Sequence, residues 1–178
     1  MSTASKLILD AITNGESQPR MTYCGSFRDL HFQVRNYVKN EFREAGVGPD
    51  AADSSGVTCV YFIRFTTESH SVVKIGYATD ITKRFKHFTK DLPPFPGTQV
   101  RLLGTLHFGG WWYCRKAETL FIEGLREYHV KGEWFDLPDQ ICREIIDTCR
   151  IAAPIVPPEF GRYDRKSIHA WIRENSRK

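Results

Sequence analysis

Two hydrophobic rhythms divide this chain. Between Ser26 and Gly46 the apolar positions Leu30, Val34, Tyr37, Val38 and Phe42 recur at helical spacing, predicting an amphipathic helix over 27–45. Ser26-Phe27-Arg28-Asp29 resembles a capping box at its start, with Asp in place of Glu. From Val57 the rhythm changes. Val57–Thr66 carries β-branched and aromatic residues on both parities, as an inner strand does. A tight turn at Thr67-Glu68 would return the chain through Ser71–Gly76, in a register that sets Tyr61 opposite Lys74 and Ile63 opposite Val72.

Beyond the hairpin, Asp80 is a candidate N-cap for a helix that buries Ile81, Phe85 and Phe88. Asp91–Gly97 contains three prolines and must be loop. Thr98–Phe108 reads as a third strand, broken by Gly109-Gly110. Trp111 and Trp112 then lead into a helix near Arg115–Tyr128, whose apolar face is Ala117, Leu120, Phe121, Leu125 and Tyr128. These two tryptophans fit a hydrophobic staple into that helix better than a stacking platform for bases. Glu133–Leu137 is a short extended piece ending at Pro138. Asp139 would cap a further helix with Ile141, Cys142, Ile145 and Cys149 inward. Short helices are also expected over 5–12 and over about 164–175.

The loops set the boundaries. Gly46–Gly56 is a linker by composition, and Ala152–Glu159 is Pro-rich. This gives a helical N-terminal extension (1–50), a central domain (57–151) and a basic C-terminal tail (152–178). The expected class is α+β: a small three-stranded antiparallel sheet flanked by helices.

Composition narrows the function classes. With 178 residues, 41% apolar and 13% aromatic, the chain has material for one ordinary core and does not read as disordered. The net charge of +4 is unevenly placed. Residues 1–56 carry −1, residues 57–138 carry +3, residues 139–160 carry −2 and the tail from 161 carries +4. A nucleic-acid partner is permitted rather than demanded. Five cysteines without CxxC spacing argue against a zinc ribbon or a disulfide framework. No apolar run approaches the roughly 18 residues of a membrane span, and no signal peptide opens the chain. A soluble, cytoplasmic protein (nuclear in a eukaryote) is expected.

Within 57–138 the motifs Val60-Tyr61-Phe62-Ile63, Val73-Lys74-Ile75-Gly76, Thr79-Asp80, Arg84, Ala117-Glu118 and Gly132-Glu133-Trp134-Phe135-Asp136-Leu137 follow one another. In this order they resemble the GIY-YIG nuclease superfamily, in its phage- and plasmid-type branch. The resemblance implies a phosphodiesterase dependent on Mg²⁺ or Mn²⁺ and acting on DNA, double-stranded above all. It implies Tyr61 in the first motif, Lys74 in place of the second motif's tyrosine, Gly76 as its glycine, Arg84 as the helix arginine and Glu118 as the metal glutamate. Cys59 stands where the first motif has its leading glycine. The asparagine that other members place after the metal glutamate has no counterpart, and Glu133 lies near its place.

The chemistry fits those residue types. Phosphodiester hydrolysis needs an activated water, a cation for the developing charge and a held phosphate. Arg84 offers a planar fork to phosphate oxygens. Tyr61 is the expected general base, with Lys74 opposite it favouring the phenolate, and His87 a candidate proton shuttle on the helix face. Lys83 and the tail residues Arg162, Arg165, Lys166 and Arg173 are candidates to grip the nucleic-acid backbone. Two other classes stay open on the residues alone: a non-catalytic nucleic-acid or protein-interaction module on the same fold, and a homo-oligomer built through Val34 and Val38 of the N-terminal helix.

Overall fold

A computed structural model describes residues 21, 23–44, 58–90 and 97–152. The expected helices over 5–12 and 164–175, the linker of 46–56 and the tail residues Arg162, Arg165, Lys166 and Arg173 lie outside them. The described elements are α1 (Phe27–Glu44), β1 (Cys59–Thr66), β2 (Ser71–Ala78), α2 (Ile81–Lys90), β3 (Gln99–Leu106) and α3 (Trp111–Gly124). A 3₁₀ turn (Arg126–Tyr128), β4 (His129–Lys131), β5 (Trp134–Phe135) and α4 (Asp139–Ile151) follow.

The α+β class and the antiparallel sheet hold, but the sheet has five strands rather than three, in the order β3-β1-β2-β5-β4. The two additional strands are too short to leave a period. Gly132, at φ 58, makes the turn between β4 and β5, and β5 joins β2 only through Val73↔Phe135 and Lys74↔Trp134. The sequence pattern assigns His129–Lys131 to no strand, because the residues before it continue a helical period.

Strand β1 is an inner strand, between β3 and β2, and is buried on both faces over residues 59–63, as its double-parity apolar run requires. Val60 and Phe62 face a layer made by α1, α3 and α4. Phe27 of α1 meets Phe62 edge-on at 5.3 Å and stacks on Phe121 of α3 at 5.5 Å. Each such aromatic, once sealed from water, contributes roughly 2–3 kcal/mol. Leu30, Val34 and Val38 are all fully buried in this core. The stripe that would have built a dimer is therefore occupied within the chain, and among the described side chains of this helix the large apolar residue left exposed is Phe32. On the other side of the sheet Cys59, Tyr61, Ile63, Ala78, Leu102 and Ile81 form a smaller cluster, closed by Phe85 and Phe88 of α2.

Helix ends follow the sequence in two cases and depart in two. Asp80 accepts the Lys83 N–H at 2.9 Å and so caps α2 as expected. At α1 the Ser26 hydroxyl accepts the Asp29 N–H at 3.4 Å. Asp139 is not a cap. It is the first helical residue of α4, behind Pro138, and its carboxylate pairs with Arg64 at 2.5 Å. Trp111 and Trp112 form the first turn of α3 itself, so they are no staple preceding it. All five cysteines are free thiols, four of them buried.

One long-range contact ties α1 to α4. Glu144 accepts the Phe27 N–H at 2.7 Å and the Tyr23 hydroxyl at 3.3 Å. The same carboxylate holds the Tyr23 phenol protonated, pushing it up to about 12, with burial the larger cause. Glu144→Ala should lower stability by about 1–2 kcal/mol, since a half-buried helix-start N–H loses its charged acceptor. Urea unfolding would show this as a lower midpoint with unchanged slope.

Candidate functional site

Strand pairing decides which side chains can meet. In β1–β2 the partners are Tyr61↔Gly76 and Ile63↔Lys74, with a loop over Thr67–His70 closed by the Thr67 N–H to the His70 carbonyl at 2.8 Å. The expected register, with Tyr61 opposite Lys74, is thus displaced by two residues. The cause is a four-residue loop in place of a two-residue turn. Parity is preserved, so Tyr61 and Lys74 share a face as diagonal neighbours.

The phenol of Tyr61 lies across Gly76. A methyl group on that glycine would fall 2.4 Å from Tyr61 Oη and 2.5 Å from Cζ. The residue opposite Tyr61 has no side chain because the ring occupies the space one would need. Tyr61 is almost completely buried, and its pKa is pushed up to about 12. Desolvation is the main cause, Glu133 and Glu118 add to it, and the Arg84 guanidinium opposes it. Lys74 is a diagonal neighbour of the phenol rather than the expected directly opposed residue. Its ammonium pairs with the Glu133 carboxylate and lies 5.2 Å from the Trp134 ring centroid.

Glu118 projects from α3 and is 8% exposed. Its neighbourhood follows from the shortness of β5. The Ile75 N–H on the outer edge of β2 is taken by the Glu133 carbonyl at 3.0 Å. Two residues further along the same edge β5 has ended, and the Tyr77 N–H is hydrogen-bonded by the Glu118 carboxylate instead. Burial raises the Glu118 pKa to about 7, and the nearby Glu133 carboxylate pushes the same way. Lys74, the Tyr77 N–H and Arg115 act against them.

Tyr61 of β1, Lys74 of β2, Arg84 of α2, Glu118 of α3 and Glu133 before β5 therefore influence one another around one edge of β2. His87 and Lys83 are exposed on the same helix as Arg84, and among the described residues no hydrogen bond or ion pair links any of the three side chains to Tyr61 or Glu118. Of the three, Arg84 is the one whose charge acts on Tyr61. Glu133 pairs with Lys74 and acts electrostatically on both Tyr61 and Glu118. In the sequence its signal is an acid placed directly after a turn glycine, and its position beside Trp134 is equally compatible with a structural part.

The donor chemistry fits a hard divalent cation. Among the described residues no three His, Cys, Asp or Glu side chains converge on one point. Mg²⁺ needs no such cage, because it keeps much of its water and takes one or two carboxylates. A buried glutamate with a pKa near 7 and a second carboxylate within electrostatic reach is a pair that a cation would relieve.

Among the described residues no helix is long and apolar enough to cross a membrane. A family model described as the T5orf172 domain matches residues 58–150. No curated protein and no solved structure matches the chain.

Proposed function

Because the chain belongs to the T5orf172 domain family, a nuclease-type domain, we propose that it is a metal-dependent endonuclease hydrolysing phosphodiester bonds of DNA, of the GIY-YIG kind. The observation that carries this reading is that a guanidinium on α2 and a buried carboxylate on α3 lie within electrostatic reach of a phenol on β1, around the part of β2 that β5 leaves uncovered.

Each residue then has a part. The Arg84 guanidinium is solvent-exposed and free to bind phosphate oxygens in a fork, while its field already reaches Tyr61. Tyr61 would take a proton from the attacking water as its phenolate. Burial above all, with Glu133 and Glu118, raises its pKa to about 12 even with Arg84 acting against them. The phenol is therefore protonated in the resting protein and must first give up that proton before it serves as base. Glu118, with Glu133 beside it, would hold Mg²⁺ or Mn²⁺, which would take up charge on the phosphate and on the leaving oxygen. Lys74, which the strand register puts on the same face as Tyr61 and which pairs with Glu133, would serve as a second phosphate contact or as the counter-charge for Glu133.

Purified protein should nick or cut plasmid in Mg²⁺ or Mn²⁺ and be silent in EDTA. Arg84→Ala should reduce the rate by about 10²–10³-fold, as losing one charge-stabilising donor does, with the melting temperature unchanged because the side chain is exposed. Salt-sensitive DNA binding with no cleavage in any divalent metal would instead identify a non-catalytic binding module on this fold.

A further inference from the structure

Helix α2 carries Lys83, Arg84, Lys86, His87 and Lys90, and has no acidic residue. All five side chains are exposed, and among the described residues none is in an ion pair. Part of this pattern has a bland cause: His87 and Lys90 lie in the last turn, where the helix dipole favours positive charge. The dipole cannot explain Lys83 and Arg84. They lie in the first turn, where a cation is disfavoured and where stability alone would place an acid.

The angular placement is also uneven. Ile81, Phe85 and Phe88 point into the sheet. At about 100° per residue, Arg84, His87, Lys83 and Lys90 follow one another around a single flank, starting at the edge that faces Tyr61. Along the axis, Lys83 to Lys90 spans about 10 Å at ~1.5 Å per residue. That is the axial length of about three nucleotides of one strand at ~3.4 Å each. A ligand that touches Arg84 and the whole flank at once must be a long polyanion of regular charge spacing.

We propose that this flank of α2 is the track for the nucleic-acid backbone. Lys83, His87 and Lys90 hold successive phosphates of the strand whose target phosphate lies at Arg84. The proposal rests on the nuclease reading. It adds a binding surface within the folded domain to the basic tail, and it assigns the exposed face of α2 to sequence-independent backbone contact.

The test uses the full chain in EDTA, so that binding is separated from cleavage, with a fluorescently labelled DNA duplex followed by anisotropy over a series of salt concentrations. Lys83→Ala/Lys90→Ala should weaken binding about tenfold or more at low salt. It should also reduce the slope of log affinity against log salt by about 2, close to 0.9 for each phosphate no longer neutralised. Arg28→Ala/Lys39→Ala, on the outer face of α1, should leave that slope unchanged. If the α2 pair also leaves slope and affinity unchanged while wild type binds duplex, the track is overturned. The nuclease reading would survive, provided wild type still cuts plasmid in Mg²⁺. If wild type cuts nothing and binds no duplex at any salt, both fail together. Equal losses from the α1 and α2 pairs would also overturn the proposal, since they would report a diffuse charge effect rather than a track.

Discussion

Glu118→Gln is expected to abolish cleavage and, in the same protein, to raise stability at alkaline pH. The loss of activity should be on the order of 10³-fold or more, the upper end of what removing one electrostatic partner of a transition state costs, because this carboxylate is the principal candidate ligand. The gain in stability comes from linkage. Glu118 has a folded pKa of about 7 against an ordinary value of 4.5, so the folded state binds its proton more tightly than the unfolded chain does. Below pH 4.5 both states are protonated and nothing is at stake. As pH rises from there through 7, the folded protein must ionise a buried acid beside Glu133, and stability falls until the curve levels off above 7. The amide keeps shape and the Tyr77 contact without the charge. Denaturant unfolding in EDTA should find the variant more stable at about pH 8 by an amount on the order of 2 kcal/mol, with the difference vanishing toward about pH 4.5. A variant that loses activity and is also destabilised at that alkaline pH would instead mark Glu118 as a structural residue.

The two halves of that result were unequally visible in the sequence. That Glu118 is an acid on the apolar side of a helix could be read directly, since Ala117, Leu120 and Phe121 share its turn. That it is bound to the edge of β2 could not, because this depends on where β5 stops. A two-residue strand has no periodicity to find. The central strand, the α2 cap at Asp80 and the helix over 27–45 were legible because each is fixed by a local pattern: an apolar run, an N-cap offset, a 3.6-residue period. The β1–β2 register was not, because it hangs on loop length, and Thr67–His70 carries no glycine or proline to declare its type. Parity survived the error, so Tyr61 and Lys74 were placed on the correct face with the wrong partners. The direct pairing did not survive. Lys74 is diagonal to the phenol and paired with Glu133, and the Arg84 guanidinium acts against a Tyr61 pKa that burial raises to about 12, an influence that only the packing of α2 on the sheet reveals.

Gly76 is where that packing can be tested most sharply, and Gly76→Ala should cost both stability and activity through Tyr61 alone. The φ of this glycine lies outside the left-handed range, so alanine meets no backbone strain, and in a strand it would ordinarily gain about 0.5–1 kcal/mol over glycine. Against that gain stand contacts of 2.4 and 2.5 Å to the Tyr61 ring, which is walled in by β1 and α2 and cannot swing away freely. Overpacking of this kind costs about 1–3 kcal/mol, so the net effect should be destabilising. The ring must also shift, and a misplacement near 1 Å of a reacting group costs roughly 10²-fold in rate. The background decides the cause. In Tyr61→Phe the Cζ atom remains, so Gly76→Ala should stay destabilising there. In Tyr61→Ala the obstacle is gone, and the same substitution should become neutral or stabilising. A double-mutant cycle measured by urea unfolding would read that change of sign as a coupling energy between the two residues. If Gly76→Ala costs as much without the ring as with it, the glycine serves the strand and not the tyrosine, and the position of the phenol has another cause.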